Sequence, residues 1–284
     1  MRATKTTSRR RSSSPSAVQP NPTGKTMTAT ASAAALATYP LNSAQINAYR
    51  EQGFLHTPGV LNADEVKRLR ELFVSEAQCQ RDTKLAYTGP VFEQQVNLWQ
   101  GNRDLLGLAL HPNMRSISTR LAGVPLRLWH DHLLVKKANN GAPTEFHQDK
   151  PYWPHTDADE SLSAWVALVD VPAARGCMSY IPGSHTKVGL ASQDLKDPRS
   201  LFEKCPELEW QASVTIPVKA GDVVWHHGYT AHRANANATD SDRVVVSVIY
   251  IPRTARYNGS GHICTDGKGL EVGHVIAGPG FPEV

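Results

Sequence analysis

Long hydrophobic runs and paired cysteines are both missing from this sequence of 284 residues. No apolar stretch approaches the roughly 18–20 residues that a membrane-spanning helix needs, so we expect no membrane partner. The four cysteines are widely spaced, and no two of them form a CxxC pair. In a chain of this size that pattern excludes a disulfide framework and a zinc ribbon. It indicates reduced thiols and a cytoplasmic protein.

Acidic residues are absent from the first 30 positions, which hold six basic residues: Arg2, Lys5, Arg9, Arg10, Arg11 and Lys25. Without these six charges the net charge of +4 becomes −2, so the rest of the chain is slightly acidic. A surface that binds nucleic acid requires the opposite balance. We therefore predict no nucleic-acid partner.

Large aliphatic and aromatic side chains are also scarce at the N-terminus, where Ser, Thr, Pro and Ala predominate. Such a segment cannot bury a core, and we expect residues 1–38 to form a disordered basic tail, followed by a single domain over 39–284. The tail lacks the hydrophobic segment of a secretory signal. Its Arg and Ser content would also suit an organelle-targeting peptide, and Met27 offers an alternative start of translation; the sequence leaves these alternatives open.

The remainder of the chain begins with helical patterns and ends in β-structure. Ser43 and Asn62 are natural N-caps, each followed by apolar residues at helical spacing, and a further helical stretch is predicted over about 102–122. From residue 125 onward, short runs rich in β-branched and aromatic residues alternate with Gly, Pro and Asn. This order, without an internal repeat, predicts a mainly β protein with flanking α-helices, whose strands form an antiparallel β-sandwich or barrel with jelly-roll topology.

One short stretch, TEFHQDKPYWP, contains two side chains that bind metals. His147 and Asp149 are two residues apart, so on a strand both would point to the same side, about 6–7 Å apart along the backbone. From there both can reach one ion. A lone HxD pair also occurs as an ordinary hydrogen-bonded pair, and a metal site therefore requires a third ligand from elsewhere.

A second segment, 219–252, supplies the missing groups. A turn leads into a strand, His232 follows, and Arg243 stands eleven residues later, where a β-branched strand begins. Two histidines and one carboxylate leave coordination positions of a metal open, which is the arrangement in non-haem Fe(II) oxygenases. An arginine fork is the side chain best suited to a small dicarboxylate. Together with His147 and Asp149, these residues predict a metal centre beside an anion site.

The order and spacing of these motifs resemble the phytanoyl-CoA dioxygenase family. The matching features are FHQD, YIPGSH, the ten-residue spacing from Asp222 to His232, and then Asn237 and Arg243. The resemblance extends from about Leu41 to the C-terminus. It implies a double-stranded β-helix, a cupin-like jelly roll, that binds Fe(II) and 2-oxoglutarate and uses O₂.

Carried over by position, the resemblance implies roles for individual residues. The iron ligands would be His147, Asp149 and His232, and Arg243 would bind the distal carboxylate of 2-oxoglutarate. Further contacts to the co-substrate are implied for three residues: Trp165, Lys136 and His132.

Four positions bear on how far the family pattern extends to this chain. Many bacterial relatives have glutamine where this chain has His132, so its contact to the co-substrate rests on position alone. Asp149 is retained, whereas halogenating relatives lose this carboxylate, and its presence favours oxygenation. His226 and His227 lie close to the third ligand, but the family spacing favours His232, with His227 beside the site or packed in the core.

Residues outside the metal motifs are candidates for the substrate pocket. Tyr152 and Trp153 follow the HxD motif on its loop, and Gln95 lies in a polar and aromatic segment before the core strands. We predict that these three contact the substrate, with surface packing as the alternative for Gln95. His262 and Cys264, in the Gly-rich C-terminal segment, are interpreted as incidental and not as a second metal site.

The sequence therefore predicts an Fe(II)- and 2-oxoglutarate-dependent dioxygenase that hydroxylates or otherwise oxidises a small molecule, with release of succinate and CO₂. Two alternatives stay open at this point: a metal-dependent hydrolase with zinc in the same triad, and a non-catalytic β-sandwich binding module. Arg243 argues against a hydrolase, which has no need to bind an oxoacid. The sequence identifies neither the substrate nor the oligomeric state.

Overall fold

The first two helices of the protein begin at asparagine caps. In the computed structural model these helices are α1 (Ser43–Gln52) and α2 (Ala63–Cys79). The side chains of Asn42 and Asn62 each accept a hydrogen bond from the backbone N–H three residues later, and both caps are complete capping boxes. The predicted cap at Asn62 is confirmed. The cap of α1 is Asn42, and Ser43 is the first helical residue.

The structure describes residues 38–83 and 85–284. The tail predicted over 1–38 lies outside these residues apart from residue 38 itself, and so does Met27. Among the described residues, no helix is long and apolar enough to cross a membrane. The four cysteines are free thiols.

The helix predicted over 102–122 is interrupted. Three helices lie in and just before this part of the chain: α3 (Leu98–Gly101), α4 (Leu106–Ala109) and α5 (Pro112–Ala122). Pro112 has no N–H to donate, so it starts α5 and does not continue α4. His111 caps α5, because its Nδ1 accepts the N–H of Asn113. The predicted stretch is therefore helical over most of its length but is divided at this proline. A sixth short helix, α6, spans Ser200–Lys204.

The strands form two antiparallel sheets that pack against each other, and a small third sheet. Their bounds are β1 (Phe54–Thr57), β2 (Ala86–Thr88), β3 (Glu93–Val96), β4 (Leu126–Lys136), β5 (Thr144–His147), β6 (His155–Thr156), β7 (Leu162–Ala167), β8 (Met178–Tyr180), β9 (Val214–Ile216), β10 (Val223–His227), β11 (His232–Ala234), β12 (Arg243–Pro252) and β13 (Arg256–Tyr257). The large sheet has the order β1-β10-β7-β12-β4-β3-β2, the smaller sheet β5-β11-β8-β9, and β13 pairs with β6. Strands far apart in sequence are neighbours in both sheets, as in a jelly roll, and the predicted fold class is confirmed.

Alternate residues of the large sheet face two different cores. Val246 and Trp225 belong to the larger core, which the N-terminal helices cover. Val245 and Trp165 point to the other side, where they pack with Tyr180 of the smaller sheet. The helices therefore seal the outer face of the large sheet. The inner face, opposite the smaller sheet, is where side chains of both sheets can meet.

We expect Gly221→Ala to destabilise the protein more than Gly267→Ala. Both glycines have a positive φ, 92° and 74°. That conformation costs a residue with a side chain about 1–2 kcal/mol. A Cβ on Gly221 would also collide with the carbonyl oxygen of Leu61, just before α2, whereas nothing lies within 4 Å of a Cβ on Gly267. Denaturant unfolding of both variants measures the difference in free energy of unfolding, and equal losses would contradict the expectation.

Candidate metal centre

His147 and His232 lie directly opposite each other on neighbouring antiparallel strands of the smaller sheet. His147 is the last residue of β5, and His232 is the first residue of β11. Their ring centroids are 4.3 Å apart. Asp149 completes the group, since its Oδ1 lies 3.7 Å from Nε2 of each histidine. The structure thus brings the three predicted ligands together, with one ligand atom of each within 4.8 Å of the others.

Asp149 reaches this cluster from outside the strand. Its φ of −74° and ψ of −43° are helical, and it precedes a short 3₁₀ turn over Lys150–Tyr152. The prediction that His147 and Asp149 share one face of a strand was therefore wrong. The chain turns immediately after His147, and this turn brings the carboxylate next to both imidazoles.

Backbone carbonyl groups determine which ring nitrogen of each histidine carries the proton. Nδ1 of His147 lies 2.7 Å from the carbonyl oxygen of Glu145, and Nδ1 of His232 lies 2.9 Å from that of Thr230. A carbonyl oxygen only accepts hydrogen bonds, so Nδ1 donates in both rings. Burial lowers the pKa of both imidazoles, which are therefore neutral and have no proton on Nε2.

The resulting cluster fits a metal ion. Burial raises the pKa of the Asp149 carboxyl, but the hydrogen bond that Oδ2 accepts from His226 lowers it, and the carboxylate is ionised. Two bare nitrogens and a carboxylate oxygen then face one another without a proton to share. Such groups repel each other unless a cation lies between them. Two imidazoles and one carboxylate are the donor set of non-haem Fe(II) sites.

The second oxygen of Asp149 is held from the large sheet. Oδ2 accepts hydrogen bonds from Ser163 Oγ at 3.0 Å and from His226 Nε2 at 3.2 Å. Ser163 on β7 and His226 on β10 are paired across the sheet, so they point to the same side. We call these two donors the carboxylate clamp. Because His226 directs an N–H at Asp149, it orients the carboxylate and does not offer Nε2 as a ligand.

Sequence patterns do not single out His226, and they place His227 beside the ligands or in the core. Nδ1 of His227 accepts the N–H of Tyr229, and the ring packs against His185. The packed alternative describes His227, and His226 is the residue beside the ligands. The alternation of side chains along β10 provides a signal for this. Residues 224 and 226 point to the same face of the strand, and Val224 belongs to the inner core.

Arg243, the first residue of β12, is a buried cation that has no carboxylate counter-ion among the described residues. It is 2% exposed, Nη1 donates to the carbonyl oxygen of Gly176 at 2.8 Å, and its guanidinium carbon lies 5.6 Å from the Trp165 ring. Nε has no partner, and the arginine ion pairs within the described chain do not include Arg243. Burial lowers its pKa to about 10, so it is charged at neutral pH. A small carboxylate fits here as the missing anion.

One cavity of about 270 Å³ contains both the metal cluster and Arg243 in its walls. Four of the other residues singled out in the sequence also line it: Trp165, His132, Tyr152 and Trp153. The structure therefore brings most of the predicted site residues into one place, although they come from both sheets and from the loop after β5.

Gln95 and Lys136 lie elsewhere. Successive residues of a strand point to opposite faces, and Gln94 lines the cavity whereas Gln95 donates to a carbonyl of α2 at 2.8 Å. Lys136 is paired with Arg243 between β4 and β12, but its Nζ donates to two backbone carbonyl oxygens at 2.9 and 3.1 Å. These positions do not support the predicted substrate contact of Gln95 or the predicted co-substrate contact of Lys136.

Residues 49–245, more than two-thirds of the chain, match the family model described as phytanoyl-CoA dioxygenase (PhyH). The chain belongs to the phytanoyl-CoA dioxygenase family. The phytanoyl-CoA dioxygenase domain-containing protein 1 of Mus musculus is 25% identical over 260 residues, which cover 73% of this chain and 89% of the relative. The peroxisomal phytanoyl-CoA dioxygenase of Homo sapiens is 23% identical, with coverage of 74% and 68%.

Two similar solved structures come from nogalamycin biosynthesis. The non-heme alpha ketoglutarate dependent carbocyclase SnoK is 36% identical, with a TM-score of 0.78 and coverage of 86% of this chain and 97% of SnoK. The epimerase SnoN, in complex with Fe3+, alpha ketoglutarate and nogalamycin RO, is 33% identical, with a TM-score of 0.73 and coverage of 84% and 97%.

Family membership and the geometry of the triad identify the chemistry of this protein. It is a non-haem iron, 2-oxoglutarate-dependent oxygenase, and iron and 2-oxoglutarate are its cofactor and co-substrate. The prediction of an oxidoreductase of this class is confirmed. The two alternatives, a metal-dependent hydrolase and a non-catalytic binding module, are excluded.

We expect His226→Phe to weaken metal binding in a folded protein. Phenylalanine retains most of the ring volume but removes the donor to Asp149 Oδ2. Loss of a hydrogen bond to a metal ligand typically lowers metal affinity about 10–100-fold. His227→Phe alters the adjacent ring, whose contacts are with His185 and Tyr229, and serves as the control. Anaerobic calorimetric titration with Fe(II) gives both dissociation constants, and identical values would refute the role of His226.

Proposed function

We propose that the protein oxidises a C–H bond of a small organic molecule and couples this reaction to the decarboxylation of 2-oxoglutarate, with release of succinate and CO₂. The observation that carries the proposal is the shared cavity of the metal cluster and the unpaired cation Arg243. A metal cluster alone would serve many reactions. The arginine beside it supplies a site for a dicarboxylate co-substrate.

Each residue of the centre has a separate task in this proposal. His147, Asp149 and His232 hold Fe(II), which when bound supplies the activation of O₂ for attack on an unactivated C–H bond. The two backbone carbonyls keep the imidazoles in the tautomer with bare Nε2. The carboxylate clamp keeps Oδ2 of Asp149 occupied, so that Oδ1 is directed to the metal.

The co-substrate is assigned to the end of the cavity at Arg243. A planar guanidinium matches a carboxylate with two parallel hydrogen bonds, and Arg243 would bind the distal carboxylate of 2-oxoglutarate in this way. Trp165, beside the guanidinium, forms the wall along its carbon chain. His132 and Trp165 are both paired with Ser247 of β12, in one row across the sheet, so His132 is assigned to the boundary between co-substrate and substrate. Lys136 is assigned no contact.

The substrate is proposed to be a small molecule of secondary metabolism. SnoK and SnoN, which this chain resembles at 36% and 33% identity, belong to nogalamycin biosynthesis, and the SnoN structure holds nogalamycin RO. We assign Tyr152 and Trp153, on the loop after Asp149, to the wall that the substrate contacts. Since these relatives are a carbocyclase and an epimerase, the proposal is limited to attack on a C–H bond and does not assign the product specifically as an alcohol.

A reducing compartment fits the four free thiols, of which Cys79 is exposed. Cytoplasmic proteins keep such thiols reduced, whereas an oxidising compartment would pair or oxidise them. We therefore assign the protein to the cytoplasm.

The formation of succinate tests the proposal directly. The purified protein, incubated anaerobically with Fe(II) and 2-oxoglutarate, should develop a weak visible absorption band, and it should release succinate after O₂ is admitted. Asp149→Ala removes one ligand and should abolish both signals. If the unaltered protein showed neither the band nor succinate, the proposed function would be wrong.

We expect Arg243→Met to weaken 2-oxoglutarate binding and to leave Fe(II) binding unchanged. Loss of one partner of a buried charge pair costs about 2 kcal/mol or more, which corresponds to about a 30-fold rise in the dissociation constant. Arg253→Met, at an exposed ion pair with Glu283, is the matched control. Anaerobic calorimetry with 2-oxoglutarate measures both variants. An unchanged dissociation constant in Arg243→Met would show that the anion site lies elsewhere.

A further inference from the structure

Three histidine rings line the cavity in addition to the metal ligands and His226. His130 and His132 come from β4, and His262 comes from the C-terminal segment. The ring centroid of His130 lies 5.7 Å from that of His132 and 6.1 Å from that of His262. We call these three rings the imidazole wall. The chemistry described so far uses neither His130 nor His262.

Backbone contacts give His130 and His262 opposite tautomers. Nδ1 of His130 lies 3.1 Å from the carbonyl oxygen of Asp131, so Nδ1 donates and Nε2 is a bare acceptor. Nδ1 of His262 accepts the N–H of Cys264 at 3.1 Å, so the proton is on Nε2, which is a donor. Burial lowers the pKa of both rings, and both are therefore neutral.

The free nitrogens of these two rings are open to a ligand. Nε2 of His130 and Nε2 of His262 have no hydrogen-bond partner within the described part of the chain. Neither atom is fully buried, so both can be reached from the cavity. In contrast, Nε2 of His132 is already bonded to Gln94 at 2.9 Å. The wall thus offers one acceptor and one donor side by side.

The wall is held rigidly and lies within reach of the metal centre. The ring of His262 packs on Trp129 at 5.4 Å, and Trp129 stacks on Phe281 at 5.5 Å. His130 lies in the same row of the large sheet as Ser163 of the carboxylate clamp, two strands away. Neighbouring strands are about 4.8 Å apart, so the backbones of His130 and Ser163 are about 10 Å apart. This distance is about the length of a two-ring molecule.

The surroundings of the wall are largely apolar and carry little charge. Among the described residues that line the cavity, Asp149 and Arg243 are the only charged side chains, and both are assigned to metal and co-substrate. The remaining lining near the wall includes Trp153, Ile249 and Ile263. The described lining therefore offers no further cation to a phosphate group of a substrate inside the cavity. They also gather no second group of three metal-ligating side chains.

We propose that His130 and His262 form a substrate subsite for an uncharged, oxygenated ring compound, with a hydroxyl group of the substrate donating to His130 Nε2 and a carbonyl or ether oxygen accepting from His262 Nε2–H. This assignment rests on the proposed function, because the same cavity must also hold iron and 2-oxoglutarate. It replaces the interpretation of His262 as incidental.

Crossed binding measurements with two neutral probes test the subsite. The full chain, loaded anaerobically with Fe(II) and 2-oxoglutarate, is titrated with 1-naphthol, which has a strong donor, and with 1-tetralone, which has only an acceptor. His130→Phe should weaken binding of 1-naphthol about five- to ten-fold, the effect of one hydrogen bond, and spare 1-tetralone. His262→Phe should do the reverse. His227→Phe, outside the cavity lining, should change neither.

A charged probe and a rescue variant sharpen the test. 1-Naphthyl phosphate, with the ring of 1-naphthol and added negative charge, should bind at least tenfold more weakly than 1-naphthol, because the described lining has no free cation for it. His262→Gln keeps an N–H donor and should restore most of the 1-tetralone binding lost in His262→Phe.

The subsite is refuted if neither neutral probe binds at millimolar concentration, if each phenylalanine variant affects both probes equally, or if the phosphate binds as tightly as the alcohol. Binding of 2-oxoglutarate is measured in the same samples. Its loss in the unaltered protein would contradict the proposed function, whereas a failed probe pattern with intact 2-oxoglutarate binding would contradict the subsite alone.

Discussion

The hydrogen bonds from imidazole Nδ1 to the backbone carbonyl two residues earlier determine what this cavity can do. They occur at both His147 and His232, and each leaves a bare Nε2 beside Oδ1 of Asp149. If the protons were on Nε2, both rings would donate to the carboxylate, and the three side chains would satisfy one another without a metal. Local backbone geometry thus converts three ordinary polar side chains into a metal site.

The site also depends on how the two sheets pack. The histidine ligands belong to the smaller sheet, whereas the carboxylate clamp, Ser163 and His226, belongs to the large sheet. Asp149 is hydrogen-bonded to the clamp and faces the two histidine ligands. Its orientation therefore depends on how the two sheets pack against each other. The strand alternation that places Val245 and Trp165 in the inner core also directs the functional side chains inward. The same alternation of side chains along the strands therefore fills the inner core and positions the groups around the metal site.

Sequence reasoning predicted the three side chains that the structure brings together, because their residue types and spacing are restrictive together, and it predicted the fold class from strand-like runs. It failed where a shift of one residue along a strand decides which side chain faces the cavity. Gln94 and not Gln95 lines the cavity, and His226 and not His227 contacts Asp149. Register is set by cross-strand pairing, which a single chain does not display. Tautomers were equally hidden, because they follow from contacts that exist only in the folded backbone. The break at Pro112, in contrast, was readable from the residue itself.

The most direct test of this account is a crystal structure of the protein grown anaerobically with Fe(II) and 2-oxoglutarate. We expect iron bound by Nε2 of His147, Nε2 of His232 and Oδ1 of Asp149, with Oδ2 still hydrogen-bonded to His226 and a 2-oxoglutarate carboxylate on Arg243. Iron bound through Nδ1, through His226, or at a place away from these residues would contradict it.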